Sequence, residues 1–158
     1  MDNSKVLDYL NHLIEINKDA EAGFLTAAEN LKNSELESTV TGYAKQHAKF
    51  ALELQREVDR LGGKPEKAGT AGGALHRGWI DFKAALTRHS PKPILTACES
   101  GEDSALAAYA DAEAGISTGQ TFNLLQKQRE QITAFKTRLW RLINEIKDGV
   151  EFQQNEKN

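Results

Sequence analysis

The chain has 158 residues and a mass of 17.5 kDa, the size of one ordinary domain with room for a core. With 39% hydrophobic and 27% charged residues it reads as folded, and a net charge of −3 argues against the basic stripe that a nucleic-acid surface needs. A lone cysteine, Cys98, excludes an internal disulfide. The first residues lack the basic-then-apolar pattern of a signal peptide, and no apolar run is long enough to span a membrane, so the expected compartment is the cytoplasm.

Asn3 or Ser4 can cap a first helix that ends near Asn33. Its apolar stripe runs Leu7, Leu10, Ile14, Phe24, Ala28 and Leu31, with the polar Asn17 and Glu21 inside it. Ser34 to Glu37 spells a capping box that opens a second helix. That helix places Leu36, Val40, Tyr43, Phe50, Leu54, Val58 and Leu61 on one face, and His47 near the middle of the same face. Gly62 and Gly63, followed by Pro65, end it. The short link around Asn33 makes the first two helices an antiparallel hairpin.

Residues 63–91 form a long connection, in which Ala74 to Leu86 reads as a short helix with Leu75, Trp79, Phe82 and Leu86 on one side. A third helix is expected from about Lys92 to Ala114, with Ile94, Cys98, Ala105, Tyr109 and Ala112 inward and Glu102 on the same line. Ser117 or Thr118 caps a fourth, running to about Lys147, whose stripe of Phe122, Leu125, Ile132, Phe135, Leu139, Ile143 and Ile146 is interrupted by Gln128. Four helices, two tight hairpins and one long crossover predict an all-α, up-down-down-up four-helix bundle over residues 1–150, with a polar tail over 151–158.

The polar interruptions suggest a central layer. Turning the first hairpin about Asn33 brings Glu21 level with His47, and turning the second about residues 115–119 brings Glu102 level with Gln128. The separations agree, since both pairs are related by a shift of 81 positions (102 − 21 and 128 − 47), as an old duplication would leave them. A buried carboxylate must find partners or take up a proton. Two carboxylates, an imidazole and an amide converging on one point offer a donor set for Fe²⁺, Mn²⁺ or Zn²⁺. The competing reading is a hydrogen-bonded core that binds no metal.

At these residues the chain resembles the ferritin-like superfamily. Glu21, His47, Glu102 and Gln128, one from each helix, are similar to the donors of a ferroxidase centre. The segments Asp19 to Phe24, Leu75 to Trp79 and Cys98 to Asp103 look like a bacterial ferritin-like family of unknown function, over residues 4–147. The resemblance implies the bundle fold and iron or oxygen chemistry. Two positions depart from it. A di-iron site expects Glu-x-x-His on the second helix, where this chain has Ala44 three residues before His47. The fourth helix, ending its motif in Gln128, lacks the Glu-x-x-His pattern as well. These departures point to one metal, or none.

Two functions are therefore expected to compete. One is a bundle binding a single Fe or Mn, with Zn as a further candidate, through Glu21, His47, Glu102 and Gln128, and acting on Fe²⁺ or oxygen species. The other is a metal-free helical structural or interaction module, linked to stress, working as a homodimer or with a protein partner. Trp140 and Phe152 are candidates for a dimer surface. Glu53 with Glu57, and Glu99 with Glu102, are read first as solvated acidic faces, Cys98 as inert core, and His76 with Arg77 as solvent-facing beside a docking Trp79.

Overall fold

The computed structural model describes residues 3–69 and 90–146. Among them lie four long α-helices and no strand: α1 (Asn3–Glu29), α2 (Ser34–Arg60), α3 (Pro91–Ile116) and α4 (Gly119–Glu145). The expected short helix over 74–86, His76, Arg77, Trp79, Phe152 and the tail all lie outside the described residues.

Each helix starts and stops for a local reason. Asn33, rather than the Ser34 capping box, is the N-cap of α2; its side chain accepts from the Leu36 amide at 3.0 Å. Beyond α2, Gly62 takes φ +83°, a conformation that only glycine adopts without a Cβ penalty. Pro91 and Pro93 sit in the first turn of α3, where their missing amides cost nothing. Between α3 and α4 the chain reverses in two residues, and Ser117 carries the bend at φ 51°.

The helices run up, down, down and up. One apolar cluster joins the last half of α1 (Phe24, Ala28) to the first half of α2 (Leu36, Val40), the first half of α3 (Ile94, Leu95) and the end of α4 (Leu139). The other joins the first half of α1 (Leu10, Leu13) to the end of α2 (Leu54, Val58), the end of α3 (Tyr109, Ala112) and the first half of α4 (Leu125). The chain therefore has to return to the first end of the bundle after α2. Its path begins along α1: Gly63 abuts Leu7, Asn11 Nδ2 donates to Lys64 O, Asn11 Oδ1 accepts from the Glu66 amide, and Gly69 abuts the Asp19 carboxylate. This covers a second side of α1, on which Asp19 is buried.

The helices are unequally held. Of the four neighbouring pairs, α1 and α2 share the most extensive interface, followed by α3 with α4 and α1 with α3, and α2 with α4 the slightest. α4 accordingly buries only Thr121, Leu125, Gln128, Ile132 and Leu139 within its span, and leaves Phe122, Phe135, Leu142 and Ile143 partly exposed. Ion pairs fasten it to α3: Arg129 Nε to Glu113 at 2.8 Å, and Lys136 Nζ to Asp103 at 2.6 Å.

Candidate functional site

A polar layer does cross the interior, between the two apolar clusters. His47, on the inward face of α2, and Glu102, on the inward face of α3, are both fully buried. His47 Nε2 lies 2.9 and 3.0 Å from the two Glu102 oxygens. The other ring nitrogen, Nδ1, lies 2.7 Å from Asn17 Oδ1. The orientation of the Asn17 amide is fixed by its neighbour: its Nδ2 donates to the Leu13 carbonyl at 2.8 Å, and a carbonyl can only accept. Oδ1 therefore faces His47, and Nδ1 must carry a proton. One more proton is shared between Nε2 and the Glu102 carboxylate, so the pair is either imidazolium with carboxylate or neutral imidazole with carboxylic acid. Both forms are neutral as a unit, which is how such groups tolerate burial.

Aromatic rings enclose the imidazole. Phe24 stacks on it with centroids 5.5 Å apart and planes 17° from parallel. Phe50 and Phe135 stand in T-shaped arrangements with it, centroids 5.6 and 6.2 Å away. The face of Phe24 favours a cationic partner, and the surrounding apolar wall excludes water.

The network continues away from His47. Asn17 Nδ2 also donates to Tyr109 Oη at 2.9 Å, and the Tyr109 hydroxyl donates to Gln128 Oε1 at 2.6 Å. Gln128 Nε2 then donates to the Phe50 carbonyl at 3.3 Å and to Glu53 Oε1 at 3.1 Å, on the rim of α2. Burial pushes the Tyr109 hydroxyl far above its ordinary range, against the smaller opposing effect of the Asn17 bond. Burial likewise raises the Cys98 thiol well above its usual range, with Glu102 adding to the effect, so Cys98 is a protonated core residue. Tyr43 is pushed up to about 12, chiefly by burial, with Arg138 opposing and Glu102 reinforcing. Two buried oxygens among the described residues lack a hydrogen-bond partner, Tyr43 Oη and Glu99 Oε2.

Three of the four expected residues are in this layer, and their relations differ from expectation. His47 and Glu102 touch directly, across the bundle. Gln128 does not meet Glu102; it reaches the pair only through Tyr109 and Asn17. Glu21 is outside the layer, with its side chain 29% exposed and 3.5 Å from Lys18 Nζ. The cause is the position of the first turn. α1 ends at Glu29 and α2 starts at Ser34, so the chain reverses about residues 31–32 and Asn17, one turn earlier than Glu21, stands level with His47. In the second hairpin the reversal at Ser117 and Thr118 pairs Gln128 with Tyr109 in the same way. The two hairpins are thus not equivalent halves of one site.

Two functional contacts were hidden from sequence reasoning. Tyr109 sat on an apolar line, and nothing marked its hydroxyl as a link between helices. Glu57 read as a solvated carboxylate, yet it is buried; it accepts 2.7 Å bonds from Arg60 Nε and Nη2 and a 2.6 Å bond from Thr121 Oγ1, joining α2 to α4. The Arg60 bonds hold its carboxyl below the ordinary value; burial opposes them and the Thr121 bond assists. A Glu-x-x-Arg spacing at a helix end is the signal that was available.

Among the described residues no three His, Cys, Asp or Glu side chains converge to hold a metal ion. No helix among them is long and apolar enough to cross a membrane. No curated protein matches the chain. Residues 5–114, which take in most of α1, all of α2 and nearly all of α3, match the family described as Domain of unknown function (DUF2383). The chain, four-helical and with a hydrogen-bonded polar centre, belongs to that family.

Proposed function

We propose that the protein is a metal-free helical module of ferritin-like architecture, working through assembly with itself as a homodimer or with a protein partner in the cytoplasm. The observation that carries this reading is the occupation of the central donors by one another. A di-iron centre needs a bridging carboxylate, and the position three residues before His47 is Ala44. On α1 the residue facing His47 is an amide, Asn17, whose oxygen is engaged by the ring. The Gln128 oxygen is engaged by Tyr109. One imidazole and one carboxylate remain, and they are bonded to each other. These residues do not fit a ferroxidase centre. The layer instead ties α1, α2, α3 and α4 together and fixes the geometry of the surface the module presents.

A second reading rests on the near-equal distances from His47 Nε2 to the two Glu102 oxygens. A single Fe²⁺, Mn²⁺ or Zn²⁺ taking the place of the shared proton would use the same two residues. Elemental analysis of protein purified without chelator, and again after incubation with each ion, separates the two readings. The metal-free module predicts no stoichiometric metal and a melting temperature indifferent to chelator. One equivalent of metal that is lost in a folded His47→Ala variant would overturn it. Light scattering gives the oligomeric state, and a monomer that captures no partner from its own cell extract would count against the assembly role.

A further inference from the structure

Four hydrogen bonds of the polar layer run head to tail in one direction. His47 N–H donates to Asn17, Asn17 N–H to Tyr109, Tyr109 O–H to Gln128, and Gln128 N–H to the Glu53 carboxylate. Each donor polarises the next, and a chain whose members all point the same way is stronger than its separate links. It starts at the buried His47–Glu102 pair and ends at a partly exposed carboxylate on the edge of α2. Two of its links are amides, so it does not pass protons. What it can pass is orientation.

The last link closes the weakest seam between neighbouring helices. Of the four pairs of neighbouring helices, α2 and α4 share the slightest interface, and among the described residues polar side chains bridge them at two places. Thr121 meets Glu57 near one end, and Gln128 meets the Phe50 carbonyl and Glu53 at mid-height. Beside the second bridge, Phe135 of α4 stacks on Tyr43 of α2 with centroids 4.5 Å apart. If Tyr109 no longer presents its proton to Gln128, the amide is free to rotate, and the bridge at mid-height loosens.

We infer that the chain from His47 to Gln128 couples the buried His47–Glu102 pair to the closure of α4 against α2. The element with two states is the α2–α4 seam, closed as described or parted near Gln128 and Phe135. Both the central pair and Glu53 bias it, and Tyr109 is the positioning residue that links them. This inference goes beyond the metal-free reading and stands apart from it.

The test is amide hydrogen exchange along α4, read over residues 121–139, in the full chain. Exchange in α1 serves as the reference for global unfolding. Glu102→Gln and Glu53→Gln should each speed α4 exchange relative to α1, by about tenfold for one weakened charged hydrogen bond. The double variant should depart from the product of the two single effects by at least about fivefold, the signature of coupled sites. In a Tyr109→Phe background, which keeps the ring and removes the hydroxyl, the two effects should multiply independently. Independent effects in the parent chain would overturn the inference, as would non-additivity that survives Tyr109→Phe. Should Glu102→Gln fail to fold, Glu102→Asp takes its place in the same cycle.

Discussion

His47 Nε2 stands within 3.0 Å of both oxygens of Glu102, in a pocket where neither side chain touches solvent. Removing one partner of such a pair leaves the other without compensation. His47→Ala or Glu102→Ala is expected to cost about 3–5 kcal/mol in urea unfolding. Replacing both by leucine removes the penalty along with the attraction, and the double variant should be more stable than either single one. A double variant no better than the singles would show that the pair's neighbours, not the pair, dominate. In the parent protein, nitrogen-15 NMR of the ring should find Nδ1 protonated, because the Asn17 oxygen accepts from it.

Tyr109→Phe keeps the packing and removes one hydroxyl. It strands a donor on Asn17 and an acceptor on Gln128, both buried. The expected cost is about 1–3 kcal/mol by denaturant unfolding. A loss below a few tenths of a kcal/mol would mean that water or a rotated amide takes over both bonds.

Acid should weaken the contact at Glu57. Its folded-state pKa lies below the ordinary value of 4.5, because Arg60 and Thr121 bond the charged form. A carboxylate lowered in this way contributes its stability in full above the unfolded-state value. The contribution falls away as pH drops from about 4.5 through the folded-state value. Glu57→Gln should therefore lower the melting temperature at neutral pH, and the gap to the parent should narrow below pH ~4. A gap that stays constant down to pH ~3 would remove the linkage.

Ser117 holds a positive φ at the turn between α3 and α4, where a Cβ is unfavourable. Ser117→Gly should raise stability by about 0.5–1 kcal/mol, net of the entropy glycine adds to the unfolded chain. Two positions earlier the opposite holds. A Cβ on Gly115 would press into the Tyr9 ring, and Gly115→Ala should lose about 1–3 kcal/mol. Thermal melts of the two variants should move in opposite directions.

The helices were legible because apolar residues at three-and-four spacing, such as Leu36, Val40, Tyr43 and Phe50, leave few other ways to bury them. His47 and Glu102 stood out for the same reason, as polar side chains on buried stripes. Their contact across the bundle was not legible, since helix-wheel reasoning compares neighbours in a hairpin and says little about diagonals. Glu21 is favoured over Asn17 when the hairpin is turned about Asn33, which puts Glu21 level with His47. The two differ by one helical turn, and a hairpin whose turn is placed two residues late exchanges them. Glu57 was misjudged for a different reason. Its burial depends on Thr121, 64 residues away, and only the closed bundle brings the two together.

The polar layer also decides which alignments of the helices survive. Greasy stripes built from leucine and alanine are forgiving: a helix can slide by one turn, about 5.4 Å, and still meet apolar partners. The arrangement with Glu21 opposite His47 is the slid alternative for α1 against α2. It would leave Asn17 facing no imidazole and Tyr109 with no amide to accept from, deep in the interior. A few buried polar atoms thereby enforce a single register on helices whose hydrophobic faces would permit several.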